Sequence, residues 1–511
     1  MIRHLLLCLF SSALLILSWP PVGFPFLIFG AFIPIFFVVD NCSSKRWIFI
    51  YCMLVFLCWN AFVTYWIWHA SAFGAIAAII VNSLLMTGVF VLFHVVKSSF
   101  NDRRRWWALL VFWLSFEYIH FQWDLSWPWL TLGNVFSHFP EVVQWYEYTG
   151  VLGGSLWILL FNMVFFHSIK NKKKYTLAYV ILLSIFLSNF LISERGDVQE
   201  IEVVVVQPNV DPYVEKFDGL TSEEQLKRFI EVAETKLDSS VDFLIGPETA
   251  IVNGLWQQNI DYSTEIKLLR QLLVKYPNLH IIIGATTYAV LDDDQKDKPW
   301  ARKFRNSQDH YAVYNSALQL SLDDYSIYHK SKLVQGVEFM PFSSVLDRFD
   351  FLTIDLGGIS GSLGTQQERV VFESPKAQLA PIICYESIFG QFTTEYVRNG
   401  ASLFTIITND GWWKDTPGYK QHLHYARLRA IENRRAIARS ANTGISAFID
   451  SKGHIIQSTK WDEQIAIRQT LKTNNTQTLY VRYGDYIGRL SSFVASMFIL
   501  FTIVKRATNK R

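Results

Sequence analysis

Apolar and polar positions alternate along this chain on two length scales. Up to residue 195 the apolar runs are long. A helix that crosses a bilayer needs about 20 mostly apolar residues. Candidates lie at residues 5–19, 24–39, 47–68, 74–96, 107–119, 152–169 and 177–192, with a last one at 490–504. The pattern therefore predicts about eight spans. The first is expected to be a span and not a cleaved signal peptide. Its polar head is very short, no clear Ala-x-Ala site follows, and the next apolar segment begins almost at once.

From residue 201 to about 481 the scale shortens. Brief β-branched runs alternate with amphipathic stretches, the signature of an α/β domain. Ile201-Glu202-Val203-Val204-Val205-Val206-Gln207 reads as a strand buried on both faces. Thr221, with Glu224 three residues on, reads as the capping box of a helix reaching residue 237. Further strands are expected at 243–246, 281–284, 379–384, 403–408 and 445–449. A hairpin is expected at 315–320 and 325–330, and a long helix at 422–439. The expected organisation is a membrane domain over 1–195, an α/β domain over 196–487, and a final span with a tail over 488–511.

Composition and charge orient this arrangement. Hydrophobic residues make up 51% of the chain and charged residues 18%, and the net charge of +3 is too small to argue for nucleic acid. The basic residues cluster at Arg3, Lys45–Arg46, Lys97 with Arg103–Arg105, Lys170 with Lys172–Lys174, and Lys505, Arg506, Lys510 and Arg511. The alternate loops, 20–25, 69–73 and 121–149, contain no Lys or Arg. Such a bias places the basic loops in the cytoplasm. Both termini are then inside and the α/β block outside. Loop 123–130 is rich in Trp, which favours the membrane interface; lining a lipid entry path is the sharper reading of it. The five cysteines form no CxxC pair and no metal-binding spacing, so no metal or other cofactor is expected.

The α/β strands release polar groups at their C-terminal ends: Gln207-Pro208-Asn209, Pro247-Glu248-Thr249, Cys384-Tyr385-Glu386 and Thr408-Asn409-Asp410. In open α/β sheets that edge binds ligands. Cys384 is the candidate nucleophile. A thiol of ordinary pKa is a weak nucleophile near neutrality, and a neighbouring carboxylate such as Glu248 can take its proton during attack. An ammonium, Lys330, offsets the repulsion between carboxylate and thiolate and can hold an oxyanion. Glu338 can orient that lysine. Taken singly, each has a plainer meaning: an inert core thiol, a capping carboxylate, a solvated lysine, a surface glutamate.

These residues and their contexts resemble the nitrilase superfamily. The carriers are Pro-Glu at Glu248, Tyr-His-Lys-x-x-Leu-Val at Lys330, the Glu at Glu338 and Ile-Cys-Tyr-Glu at Cys384. With the spans on either side, the chain is similar over its whole length to the apolipoprotein N-acyltransferase family of bacterial inner membranes. Gln207-Pro208-Asn209, Tyr314-Asn315-Ser316-Ala317, Thr408-Asn409-Asp410-Gly411-Trp412-Trp413 and Arg427-x-Arg429-Ala430-x-Glu432 support this. Two departures stand out. The family's Pro-Phe-Gly before the second Glu is here Gln335-Gly336-Val337, and Phe217 stands after Lys216 where many members have Trp.

The resemblance implies a four-layer α-β-β-α sandwich and a ping-pong acyl transfer with Glu248, Lys330 and Cys384 catalytic. Glu338, Tyr385 and Glu386 would support them, and Phe217, Asn409 and Trp412 would contact substrate. The implied partners are a phospholipid acyl donor, a diacylglyceryl apolipoprotein acceptor and the membrane, with the protein a monomer. Two other readings stand beside this one: a membrane-tethered amidase using water as acceptor, and a non-catalytic lipoprotein-binding scaffold. A transporter is disfavoured, since the spans carry few ionisable residues beyond Glu117.

Overall fold

The computed structural model describes residues 1–21, 23–100, 105–171, 198–216, 219–339, 341 and 362–509. The chain divides into two units. The first comprises Met1–Glu194, Lys420–Leu428 and Thr478–Arg511; the second comprises Arg195–Tyr419 and Arg429–Gln477.

The first unit is helical. Among the described residues, four of its helices are long and apolar enough to cross a membrane: Lys45–Thr64, Ala72–Lys97, Val151–Asn171 and Tyr486–Thr508. Ile2–Ser18 and Arg105–His120 are shorter, at 17 and 16 residues. The expected span at 24–39 is not one helix. It is broken into Pro25–Leu27, Ile28–Ala31 and Ile33–Asn41. Pro34, near the start of the last piece, has no N–H to continue the preceding turn. Asn162 meets the groups the break leaves open: its Oδ1 accepts from Phe32 N (3.0 Å) and its Nδ2 donates to Ile28 O (2.9 Å). Side chains that satisfy freed backbone in this way make such breaks tolerable in an apolar bundle. The expected span at 177–192 lies outside the described residues.

One ring of the Trp-rich loop is turned inward. Trp129 is buried, and its Nε1 donates to Gln421 Oε1 (2.6 Å), which also accepts from Trp66 Nε1 (3.2 Å). Tyr425 donates to Trp129 O (2.9 Å) and accepts from Trp19 Nε1 (3.1 Å). Polar partners from a distant stretch of sequence thus draw an aromatic ring inward, where every indole N–H needs an acceptor. Trp123 and Trp127 are half-buried.

The second unit holds thirteen strands among the described residues. In chain order they are β1 (Glu200–Gln207), β2 (Phe243–Ile245), β3 (Ile251–Trp256), β4 (His280–Val290), β5 (Arg302–Lys303), β6 (His310–Leu320), β7 (Tyr325–His329), β8 (Leu379–Ile383), β9 (Leu403–Thr408), β10 (Ile437–Ala441), β11 (Ala447–Ile449), β12 (Ile455–Ser458) and β13 (Ile465–Lys472). They form two sheets. One runs β13-β1-β2-β4-β6-β5, with β3 beside β4 and β7 beside β6; the other runs β12-β11-β10-β9-β8. β1, β2 and β4 are parallel, as are β8, β9 and β10. The near-continuous apolar runs of β1, β2 and β8 fit strands covered on both faces.

The sheets face each other through β1 and β10, where Ser440 Oγ donates to Val206 O (2.8 Å). Helices Ser222–Glu234 and Thr264–Lys275 bury Leu226, Phe229, Leu269 and Leu273 against the first sheet. Helix Gly390–Arg398 lies against β8, and Asn433 at the end of helix Pro417–Asn433 donates to its Thr393 (3.1 Å). This is the α-β-β-α arrangement. The Thr221–Glu224 capping box is present.

The helix expected at 422–439 is shorter and shifted. It begins at Pro417 and ends at Asn433, where Arg434 turns left-handed at φ 50°. Ile437–Arg439 pair instead with β9 and β11 in the middle of the second sheet, where Ile437 and Ala438 are buried and Arg439 meets Asp410 (2.6 Å).

Candidate active site

Three strand ends place the chemistry. β2 ends in Gly246-Pro247-Glu248-Thr249, β7 runs into Lys330, and β8 runs into Cys384. Thr249 and Cys384 both adopt left-handed backbone, at φ 47° and 48°. For residues with a Cβ this costs about 1–3 kcal/mol. It turns each side chain sharply off the strand axis. Ser387 Oγ donates to Cys384 O (2.7 Å) and braces the turn from below.

Glu248 is buried and fully engaged. Its Oε1 accepts from Lys330 Nζ (3.0 Å) and Asn315 Nδ2 (2.8 Å), and its Oε2 from Asn409 N (3.1 Å). Burial by itself raises the carboxyl pKa. The Lys330 ammonium, with its hydrogen bond, the Asn315 bond and the Lys216 charge, outweighs burial and carries it below the ordinary value. Lys330 is 1% exposed, and its Nζ also donates to Glu338 Oε1 (2.8 Å). Burial opposes its charge, but Glu248 and Glu338 prevail and hold its pKa well above that of a free lysine.

Glu338 accepts from Asn315 Nδ2 (3.0 Å), and its other oxygen takes Val334 N (2.8 Å). The segment 335–337 is a tight turn with Gly336 at φ 74°. Glu338 N donates back to Val334 O (2.9 Å), and the turn delivers the carboxylate to Lys330.

Cys384 is 8% exposed. Burial pushes its thiol pKa far up. Glu248 and Asp410 add to the rise, while Lys330 and a hydrogen bond with Thr408 oppose it. The resting pair is therefore a neutral thiol beside an ionised carboxylate. A thiolate forms only as its proton leaves, and Glu248 and Asp410 are the carboxylates whose charge reaches the thiol.

Glu386 is equally buried but differently met. Its Oε1 accepts from Tyr328 Oη (2.7 Å) and Ser331 N (2.7 Å), and its Oε2 from Ile383 N (2.8 Å). It ties the Cys384 turn to the segment after Lys330. Burial raises its pKa, partly countered by these bonds. Tyr385 is buried, with its ring edge-on to Phe389 at 5.1 Å.

The residues expected to contact substrate are placed as follows. Asn409 gives its backbone N–H to Glu248, and its side chain accepts from Asn442 Nδ2 (3.1 Å). Trp412 is half-buried, with its carbonyl accepting from Tyr213 Oη (2.7 Å) and its ring edge-on to Tyr213 at 5.5 Å. Phe217 lies outside the described residues.

Two participants escape a reading by strand ends. Asn315 bridges both carboxylates, and only its place in the Tyr-Asn-Ser-Ala run hinted at it. Lys216 is buried, and its Nζ donates to Thr249 Oγ1 (2.7 Å) and Glu248 O (3.2 Å). The centre thus balances two carboxylates, Glu248 and Glu338, with two amines, Lys330 and Lys216. Compensation of this kind is what permits ionised groups to be buried. Lys330 joins the two carboxylates directly, and among the described residues no cluster of His, Cys, Asp or Glu is suited to a metal ion.

Two family models match this chain. One, described as carbon-nitrogen hydrolase, matches residues 204–477. The other, described as the N-terminal domain of apolipoprotein N-acyltransferase, matches residues 11–164. Among curated relatives, the apolipoprotein N-acyltransferase of Chlorobaculum tepidum is 29% identical over 509 residues, covering 96% of this chain and 94% of the relative. Apolipoprotein N-acyltransferase 1 of Treponema denticola is 26% identical over 543 residues, covering 98% and 97%. A solved Saccharomyces cerevisiae member of branch 10 of the nitrilase superfamily aligns at a TM-score of 0.38 and 17% identity, covering 54% of this chain and 92% of that one.

Proposed function

The chain belongs to the carbon-nitrogen hydrolase family, and from that premise we propose that it is an apolipoprotein N-acyltransferase of the bacterial inner membrane. It moves an acyl chain from a phospholipid to the α-amino group of an apolipoprotein's N-terminal S-diacylglyceryl cysteine. One observation carries this reading. Relatives of that name match almost end to end, through both the apolar helices and the α/β unit. A hydrolase of small amides has no use for the helical part.

The chemistry follows from the resting pair. Cys384 Sγ attacks the ester carbonyl of the phospholipid while its proton passes to Glu248. A C–S bond forms, and the oxyanion is met by the Lys330 ammonium. The C–O bond then breaks, Glu248 returns the proton to the departing alkoxide, and a lysophospholipid leaves. In the second half, the acceptor's neutral amine attacks the thioester and gives a proton to Glu248. The C–N bond forms, the C–S bond breaks, and the proton goes back to the Cys384 thiolate. Glu338 and Asn315 keep Lys330 and Glu248 aligned through both halves, and Glu386 fixes the turn that carries the thiol.

The alternation of basic and neutral loops supports an arrangement with the termini in the cytoplasm and the α/β unit on the periplasmic side. Residues 1–195 and 488–511 would then form the membrane domain and residues 196–487 the catalytic one, acting as a monomer. Both substrates are bilayer-anchored. A site working at the membrane avoids extracting an acyl chain, at about 0.8 kcal/mol per CH₂.

The test separates transfer from hydrolysis. Purified protein is given phospholipid and a diacylglyceryl-cysteine peptide with a free N-terminus. The peptide should gain the mass of one acyl chain. Release of free fatty acid, with the peptide unchanged, would favour the amidase-like reading and overturn this one.

A further inference from the structure

The reaction as written uses one lysine, but the centre contains a second. Lys216 lies in the turn after β1. Its carbonyl accepts from Gln225 Nε2 (2.7 Å), so the start of helix Ser222–Glu234 fixes the turn from behind. Its side chain is 2% exposed. The ammonium donates to Thr249 Oγ1 and to Glu248 O, both on the strand end that carries the base. Thr249 is β-branched and left-handed at φ 47°, a conformation that needs outside support. Lys216 provides it through the threonine hydroxyl.

We propose that Lys216 is a second cationic positioning residue for acyl transfer, holding the strained Glu248–Thr249 turn and supplying positive charge to the Glu248–Cys384 pair. The inference rests on the reading of Glu248 as base and Cys384 as nucleophile. The two lysines differ in their partners. Lys330 lies between two carboxylates and keeps its proton throughout. Lys216 touches two neutral oxygens. Burial lowers its pKa to about 8, against the opposing pull of Glu248 and Cys384, the titratable groups that face it. On its own turn, Glu215 is engaged by Arg228 (3.0 Å). The Lys216 charge helps hold Glu248 ionised and opposes the like-charge penalty on a forming thiolate. That help is present below about pH 8 and fades above it.

The readout is the rate of acyl-adduct formation on Cys384 with phospholipid and no acceptor, followed by intact mass from about pH 6 to about pH 10. Omitting the acceptor removes its own amine titration. Wild-type protein should lose roughly fivefold to tenfold of its rate across the alkaline half of that range. Lys216→Arg, which stays charged, should lose this decline. Lys216→Met should be slow and flat throughout. A wild-type rate in Lys216→Met, or the same alkaline decline in all three proteins, overturns the proposal. Failure of wild type to form any adduct on Cys384 would instead overturn the functional reading beneath it. Alkylation of wild-type Cys384 by iodoacetamide gives a measurement that needs no variant. Its logarithmic rate should rise with pH, flatten near about pH 8 and rise again. An unbroken slope of about one contradicts the proposal.

Discussion

The segments on either side of Cys384 each carry a buried glutamate, and the two are used in opposite ways. Glu248 ends β2 and is met by an ammonium, a side-chain amide and a backbone N–H; its pKa falls below the ordinary carboxyl value. Glu386, two residues past Cys384, is met by a phenol and backbone N–H groups; its pKa rises above that value. Residue type and depth are the same. What differs is the charge of the donors. A carboxylate neutralised by a lysine remains ionised beside a thiol and can act as its base. One satisfied by neutral donors is a clamp, binding the Cys384 turn to the segment after Lys330.

The sharpest way to break this comparison is Glu248→Gln. The amide cannot accept the thiol proton, so acyl transfer should fall by about 10²–10⁴ per folded molecule. That is up to about 5 kcal/mol of barrier. A purified variant within tenfold of wild type would remove Glu248 from the role of base.

Lys330→Met comes next. It strands Glu248 and Glu338 in the interior without their shared counter-charge. The stability loss should be about 3–5 kcal/mol, read as a lower thermal midpoint in detergent. An unchanged midpoint would mean that the two carboxylates do not depend on this lysine.

Glu386→Gln should act on folding more than on rate. One donor is left facing an amide N–H, at about 1–3 kcal/mol. The rate per folded molecule should stay within about tenfold of wild type. A loss as large as that of Glu248→Gln would make Glu386 part of the chemistry.

The smallest effect is also the most discriminating. Glu248 has a lowered folded pKa, so its stabilising contribution is present above the unfolded value near 4.5 and is lost as pH falls through the folded one. Glu386 has a raised folded pKa, so its contribution is full below 4.5 and is lost as pH rises through the folded one. On raising the pH through the carboxyl range, the stability advantage of wild type over Glu248→Gln should grow. The advantage over Glu386→Gln should shrink. Slopes of the same sign would erase the distinction.

The sequence made the edge of this site legible because reactive groups interrupt apolar strands there. Glu248 and Cys384 each follow a run of apolar residues, and Asn409 follows a strand whose polar residues are Thr405 and Thr408. What was not legible depended on partners remote in the chain. Lys216 shows in the sequence only as the residue before Phe217, until helix Ser222–Glu234 and Thr249 enclose it. Trp129 reads as an interface anchor until Gln421, 292 residues later, accepts its N–H. The break between Ile28 and Ile33 is masked by strong apolarity, and Asn162 makes it stable from 130 residues away. The stretch 434–439 has helix-like composition, but Arg434 ends the helix and a vacancy in the middle of the second sheet takes Ile437–Arg439. Local preference yielded there to pairing with β9.

The central claim is that Cys384 carries the acyl chain. Purified wild-type protein mixed with phospholipid, without acceptor, is read by intact-protein mass spectrometry. An adduct of one acyl chain is expected, mapped to Cys384, released by hydroxylamine and absent from Cys384→Ala along with all transfer activity. Transfer that survives in Cys384→Ala, with no adduct in wild type, would contradict it.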